Sequence, residues 1–321
     1  MISILSLIAT VLVIAVCVKI YWKLSTKWNG SYTCLVGIGY YTALDMASRG
    51  ARVILACRNK ERASTACHNI IKATNNQEVV YKLVDLASLR SVRNFAEDIN
   101  RNEDRLDILI NNAGLGFLEG NEYTADGIQY LLHTNHISHF LLTHLLLDKL
   151  KESAPSRIIN VSSIGARRSK LTVENIDQIN KIPPVGLHVV LRDSQLYTTT
   201  KLCNILFTTE LSRRLIGSGV TVNALHPGVI STEFFRGLTG ILKKCLDIAA
   251  LLLLLTPQEG AQTQIYLAVS RDVEGISGGL FANCERIELY SVAKTPHLAE
   301  KLWEKSEELA HLNPNEKIQM H

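Results

Sequence analysis

Short β-branched runs alternate with helix-length segments along nearly the whole chain, and this alternation constrains the fold more than any other feature. Predicted strands are Tyr32–Val36, Arg52–Cys57, Val79–Val84, Leu106–Asn111, Arg157–Ser162, Val220–Leu225 and Gly279–Ala282. Predicted helices between them are Thr42–Ser48, Lys60–Ala73, Leu89–Asn100, Tyr130–Lys151, Tyr197–Leu215 and Gln258–Ala268. Most of the strand segments are continuous apolar runs, the pattern of strands covered on both faces of a parallel sheet. Right-handed crossovers then wind about seven strands into a doubly wound α/β sheet. No internal repeat or low-complexity linker interrupts the rhythm, so residues 29–309 read as one domain and 310–321 as a polar tail.

The first segment, residues 1–22, departs from that pattern. Ile2 to Val18 carries no charge, and with Ile20, Tyr21 and Trp22 the run reaches about 20 residues, enough to span a bilayer as a helix. Tyr21 and Trp22 suit the interface, and Lys19, Lys23 and Lys27 follow on one side only. The positive-inside rule places the following domain in the cytosol. A cleaved signal peptide is the rival, but no basic residue precedes the apolar run and no small-x-small cleavage site follows it. The expectation is an N-terminal transmembrane helix.

Composition narrows the partners. The net charge is only +4 and no basic run interleaves with aromatics, which argues against nucleic acid. The seven cysteines are scattered with no Cys-x-x-Cys pair, so free thiols are expected rather than a disulfide framework or a zinc site. His133, His136 and His139 share a predicted helix, but no carboxylate or thiolate cluster accompanies them. They are assigned to packing, and no metal is expected.

Two insertions break the alternation, Gly165–Leu196 and Ser231–Thr256, the second holding the apolar run Ile248–Leu255. Both follow strands, where open α/β sheets bind ligands. The apolar run suits a lipophilic pocket or a bilayer contact, and a short core helix is an equal alternative, since it is too short to span a membrane.

The chemistry centres on Tyr197-Thr-Thr-Thr-Lys201, placed at the start of a predicted helix. The i, i+4 spacing puts both side chains on one face. An ammonium near a phenol favours the phenolate and brings tyrosine into the range useful for proton transfer. Such a pair can protonate an alkoxide as a carbonyl is reduced, or deprotonate an alcohol as it is oxidised. The motif alone is common by chance. Its position downstream of a buried strand ending in Val161-Ser162-Ser163 gives it weight, because a serine hydroxyl there can polarise the same oxygen.

In order along the chain, Asn111-Asn112-Ala113-Gly114, Asn135, Ser163, Tyr197-x-x-x-Lys201 and Pro227-Gly228 resemble the short-chain dehydrogenase/reductase family and its Rossmann-type fold. Ala56-Cys57-Arg58-Asn59, Thr134-Asn135-His136 and His226-Pro227-Gly228-Val229 resemble its membrane-anchored microsomal retinol dehydrogenases. The resemblance implies an NADP(H)-dependent oxidoreductase of the endoplasmic reticulum membrane, its domain facing the cytosol. Retinoids or other small lipophilic aldehydes and alcohols would be substrates, with homo-oligomers possible in the group. It implies Tyr197 as general acid/base and Lys201 as the group that lowers its pKa and binds the nicotinamide ribose. Ser163 would orient the substrate oxygen, and Asn135 would hold a water beside Lys201. Asn111 to Gly114 would line the adenosine side and brace the central strand, and Asp85 with Leu86 would meet the adenine, although Asp85 also suits a capping role before Ser88. Pro227 and Gly228 would shape the loop over the nicotinamide. Arg58 stands where an acidic residue would take a free ribose hydroxyl, and its planar fork of donors suits the 2′-phosphate of NADP.

One motif departs from the family. Its cofactor turn is Thr-Gly-x-x-x-Gly-x-Gly, whereas Leu35-Val36 here runs directly into Gly37-Ile38-Gly39. The turn is short by about five residues, including the glycine of the tight turn whose backbone cradles pyrophosphate. An alternative follows: a catalytically weak or inactive membrane-bound relative that serves as a binding or scaffold protein.

Overall fold

In the computed structural model, residues 37–116, 122–182, 189–229 and 255–318 are described. The predicted anchor, the predicted strand Tyr32–Val36 and most of the second insertion lie outside them. Among the described residues no helix is long and apolar enough to cross a membrane.

The chain order is α1 (Ile38–Ser48), β1 (Val53–Cys57), α2 (Lys60–Thr74), β2 (Val79–Leu83), α3 (Leu89–Asn102) and β3 (Ile108–Asn111). A helical turn Tyr130–Leu132 and a π-helical stretch His133–Ile137 lead into α4 (Ser138–Glu152). Then come β4 (Ser156–Val161), α5 (Val189–Arg214), β5 (Val220–Leu225), α6 (Pro257–Val269), β6 (Leu280–Ala282), β7 (Glu285–Ile287) and α7 (Leu298–Leu309). β1 and β2 pair in parallel, and β3, β4, β5 and β6 form a second parallel set in that order. β7 adds an antiparallel edge strand on β6 that the sequence did not announce.

Local chemistry explains the helix boundaries. Asn59 caps α2 by accepting from the Arg62 N–H, and Asn75 ends it in the left-handed region. Ser88 caps α3, whose Leu89, Val92, Phe95, Ala96 and Ile99 are buried at three- and four-residue spacing. Thr256 and Glu259 close a capping box at the start of α6, with Pro257 in its first turn.

Alternation along the strands divides the core into two layers. Ile158, Val222, Ala224 and Leu280 face α3, α4, α5 and α7, whose Phe95, Phe140, Leu206, Phe207 and Trp303 fill that side. Ile159, Val161, Leu225 and Phe281 face α1 and α6, through Met46, Ala261 and Ile265. The result is the three-layer doubly wound arrangement expected for this alternation. Beyond α7, Ala310 and Leu312 remain buried, and Glu316 pairs with Arg93 of α3.

Two boundaries correct the sequence reading. Tyr197 does not open its helix, because α5 begins at Val189, two turns earlier. Arg192 and Asp193 look like loop residues, yet they are buried and paired with each other at 3.1 Å, and Arg192 also reaches Glu122 at 2.6 Å. The first insertion is therefore not a plain loop: it contains short 3-10 turns at Ile164–Arg168 and Ile176–Gln178 and then the first turns of α5.

Candidate active site

The predicted site residues gather at the carboxyl ends of the parallel strands, the place where such sheets bind ligands. Ser163 follows β4 and caps the turn Ile164–Arg168, its Oγ accepting from the Gly165 N–H at 3.1 Å. A Cβ at Gly165 would stand 3.3 Å from Thr198 Cγ2 and 3.4 Å from Ser163 Oγ, so the turn packs closely on α5. That close fit seats the serine turn on α5 beside Tyr197. Burial pushes the Tyr197 phenol above its ordinary value of 10, while a hydrogen bond with Ser163 acts in the opposite direction.

Lys201 is buried, 4% exposed, on the same face one turn further on. Its Nζ donates to the carbonyl oxygen of Val161 at 3.1 Å and lies 5.8 Å from the centre of the Tyr197 ring. Burial brings Lys201 down from 10.5 to about 8. The expected lowering of the tyrosine by the ammonium is thus not the dominant influence here. Burial governs both groups, and the serine is what favours the phenolate.

Asn135 sits inside the π-helical stretch, a helix irregularity frequent at functional sites. Its Oδ1 accepts from the Leu115 N–H at 2.7 Å, and its Nδ2 donates to the Leu115 carbonyl at 2.8 Å and to Thr200 Oγ1 at 3.1 Å. Asn135 therefore clamps the loop after β3 to α5. The clamp brings in Gly114, where a Cβ would stand 3.0 Å from Lys201 Nζ and 3.3 Å from Asn135 Oδ1. Gly114 therefore lies against Lys201 and Asn135. Asn111 is buried, and its Nδ2 braces the end of β3 inside the core, donating to Asn160 Oδ1 at 2.8 Å and Thr143 Oγ1 at 3.1 Å.

Sequence reasoning missed three supports of this site. Ser162 Oγ donates to the Lys201 carbonyl at 2.6 Å, fastening α5 to the end of β4. Asn204 Nδ2 shares the Val161 carbonyl with Lys201, at 3.1 Å. Thr200 receives Asn135. Asn204 and Thr200 lie three residues after and one before Lys201, and only that proximity could have flagged them.

The remaining predicted residues occupy neighbouring strand ends. Gly37, Ile38 and Gly39 form the start of α1, whose first turn has no side-chain cap. Gly39 lies so close to Asn112 that a Cβ would meet Nδ2 at 2.8 Å, and Asn112 Oδ1 is buried without a hydrogen-bond partner. Arg58 follows β1, exposed, and donates from Nη1 to Tyr130 Oη at 3.2 Å. Asp85 caps a turn, Oδ1 accepting from the Ala87 N–H, while Ser88 caps α3; the Leu86 carbonyl accepts from Ser138 Oγ at 2.6 Å. Ala113 lies between Asn112 and Gly114 after β3. Pro227 precedes Gly228, which adopts φ +85° against Leu255, where a Cβ would stand 2.5 Å from Cδ1. Val229 accepts from the Leu255 N–H at 2.9 Å, joining the two ends of the second insertion.

The three helix histidines are used in packing. His133 Nδ1 meets Thr124 Oγ1 at 2.9 Å, His136 meets Ser306 Oγ at 2.8 Å and Asn204 Oδ1 at 3.3 Å, and His139 Nδ1 meets the Asn135 carbonyl at 3.2 Å. Among the described residues no group of three or more metal-ligating side chains comes together. Cys57, Cys67, Cys203 and Cys284 are free.

A half-buried tyrosine four residues before a buried lysine, a serine beside the phenol and an asparagine-bearing π turn, all at strand ends of a doubly wound sheet, have the arrangement of a dehydrogenase-type site. Residues 33–173 match the family described as short chain dehydrogenase. The chain is 45% identical over 281 residues to dehydrogenase/reductase SDR family member 13 of Bos taurus, covering 87% of this chain and 72% of that one. It is 42% identical over 270 residues to retinol dehydrogenase 11 of Mus musculus, covering 84% and 82%. A solved structure of an uncharacterised protein from Mycobacterium paratuberculosis superposes with TM-score 0.66 at 28% identity, covering 87% and 91%. L-sorbose reductase from Gluconobacter frateurii, solved with NADPH and L-sorbose, shares the fold at TM-score 0.60 and 23% identity, covering 81% and 93%. This chain belongs to the short-chain dehydrogenase/reductase family, and its sequence is similar to retinol dehydrogenases.

Proposed function

We propose that the chain is an NADP(H)-dependent oxidoreductase that interconverts lipophilic aldehydes and alcohols, retinoids among them, at the cytosolic face of the endoplasmic reticulum membrane. The observation that carries the reading is the Ser163–Tyr197 contact beside buried Lys201. In reduction, Ser163 Oγ orients the carbonyl oxygen and Tyr197 Oη delivers the proton that the oxygen takes up; in oxidation the phenolate withdraws it. Lys201 supplies positive charge beneath that exchange, and Asn135 holds the helix turn and the Gly114 loop against it.

The residues present suit a nicotinamide dinucleotide. Gly39 lets the backbone of α1 approach Asn112 closely, Asn112 Oδ1 is buried and unpartnered, and the first turn of α1 has no side-chain cap. Gly37, Ile38, Gly39, Arg58, Asp85, Leu86, Asn112, Ala113, Gly114, Tyr197, Lys201, Pro227 and Gly228 would hold the group, which when bound supplies or accepts the hydride. Arg58 favours the phosphorylated form. The substrate class rests on the relatives named as retinol dehydrogenases, and the membrane location on the apolar run of residues 1–22.

The shortened glycine turn supports a second reading, a membrane-bound binding or scaffold protein that keeps the fold without turnover. Titration of the full chain in detergent with NADPH, followed by cofactor fluorescence, separates the two. Saturable binding supports the enzyme. No binding at millimolar cofactor removes it for this chain, and rescue by inserting Thr-Gly-x-x-x before Gly37 would then trace the loss to the turn alone.

A further inference from the structure

Arg58 differs from most of its neighbours in what it binds. Arg49 pairs with Asp45, Arg52 with Glu78 and Glu103, and Arg105 with Asp107. Arg58 has no carboxylate partner among the described residues, and its guanidinium donates instead to a neutral phenol, Tyr130 Oη, 72 positions along the chain at 3.2 Å. The distinction matters physically. A carboxylate would both aim the guanidinium and neutralise it, whereas a phenol oxygen aims it and leaves its charge available to an anion.

Tyr130 is well placed to aim it. It is half-buried and opens the helical turn that continues through the π stretch holding Asn135. The same region is pinned to the neighbouring strand end, with Ser138 Oγ on the Leu86 carbonyl and Asp126 Oδ2 accepting from the Leu89 N–H at 2.9 Å. Gln129 caps the turn through its side chain onto the Leu132 N–H at 2.6 Å, and its own N–H is held by Asn180 Oδ1 at 2.7 Å. A fixed turn thus presents a fixed phenol, and the long arginine side chain pays less ordering entropy when an anion arrives.

We propose that Tyr130 is a specificity-determining residue that positions Arg58 for a ribose 2′-phosphate, so that discrimination between phosphorylated and unphosphorylated cofactor is set by the Arg58–Tyr130 pair. This rests on the cofactor reading above.

The test compares wild type with Tyr130→Phe, Arg58→Ala and the double variant. The probes are NADPH and NADH, together with adenosine 2′,5′-bisphosphate and adenosine 5′-monophosphate, binding being measured by calorimetry. The two adenosine fragments differ only in the 2′-phosphate, so whatever contact their common 5′-phosphate makes with the shortened pyrophosphate turn cancels in the comparison. Tyr130→Phe should weaken the 2′-phosphorylated probes about fivefold to tenfold and leave the unphosphorylated ones unchanged. It should have no further effect in the Arg58→Ala background. An unchanged phosphorylated-to-unphosphorylated ratio in Tyr130→Phe overturns the proposal. So does equal weakening of both probe classes, which would make Tyr130 a contact for the shared adenosine or a packing residue. If wild type prefers the unphosphorylated probes or binds none of the four, the cofactor reading itself fails and the proposal with it.

Discussion

The ammonium of Lys201 donates to the carbonyl oxygen of Val161 at 3.1 Å, so the cation of the active site is tethered to the end of β4 and not to the phenol it accompanies. Val161 is the last residue of that strand, and Ser162 and Ser163 follow at once. One strand end therefore carries the lysine anchor, the fastening of α5 through Ser162, and the serine that meets Tyr197.

This tether predicts a trade of stability for activity. Lys201 sits at about 8 in the fold against 10.5 in its ordinary state. The cost of burying its charge is fully present below pH 8 and is relieved as pH rises from 8 toward 10.5. At pH 7 Lys201→Met removes that cost, while Val161 keeps its bond from Asn204. The variant should be more stable by on the order of 1–3 kcal/mol and inactive. Thermal melts at pH 7 check it; a lower melting temperature would show that the ammonium is a net stabiliser.

Gly114 should be a site where a single methyl group disturbs chemistry more than folding. A Cβ there stands 3.0 Å from the mobile end of Lys201 and 3.3 Å from Asn135 Oδ1, so those side chains must move. Gly114→Ala should lower kcat by roughly tenfold or more while the melting temperature shifts only slightly. Steady-state kinetics beside thermal melts decide it, and an unchanged kcat would mean that neither side chain needs its present position.

The buried histidines predict acid sensitivity. His133, His136 and His144 are held at about 4 and His139 at about 3 by burial, against 6.5 when unfolded. Below 6.5 the unfolded chain takes up protons that the fold refuses, so stability is complete above that pH and is lost as pH falls toward 4. Each histidine contributes a slope of at most about 1.4 kcal/mol per pH unit. Unfolding midpoints in urea should fall steeply between pH 6.5 and 5. His144→Phe, which removes a ring packed on Phe140 and Trp303 at 4.2 and 5.0 Å, should flatten that fall. An unaltered slope would assign the acid loss elsewhere.

Much of this was legible before any coordinates. The parallel strands after Arg52 run as continuous apolar segments, and parallel pairing joins them as expected. The signals that failed are physical ones. Leu298, Leu302, Trp303 and Ser306 line the buried face of α7, but the charged residues between them masked a helix that no strand follows. β7 has three residues and two charges, too little for alternation to register. The start of α5 was hidden because Arg192 and Asp193 neutralise each other, which allows charged residues in a buried turn. Of the candidate site, the grouping of Ser163, Tyr197, Lys201 and Asn135 could be anticipated from their order along the chain. The Asn135 clamp on the Leu115 backbone and the Val161 carbonyl shared by Lys201 and Asn204 could not, because backbone partners leave no mark in side-chain identity.

The central claim is that Tyr197 transfers the proton in a nicotinamide-dependent reaction, and turnover of all-trans-retinal tests it most directly. Wild type and Tyr197→Phe are compared for loss of reduced nicotinamide absorbance with NADPH, and for NADPH affinity in parallel. The account predicts measurable turnover by wild type and a loss of roughly a hundredfold to ten-thousandfold in kcat in the variant, with NADPH affinity preserved. Wild type that binds NADPH yet turns over no lipophilic aldehyde, or a Tyr197→Phe variant as fast as wild type, would contradict it.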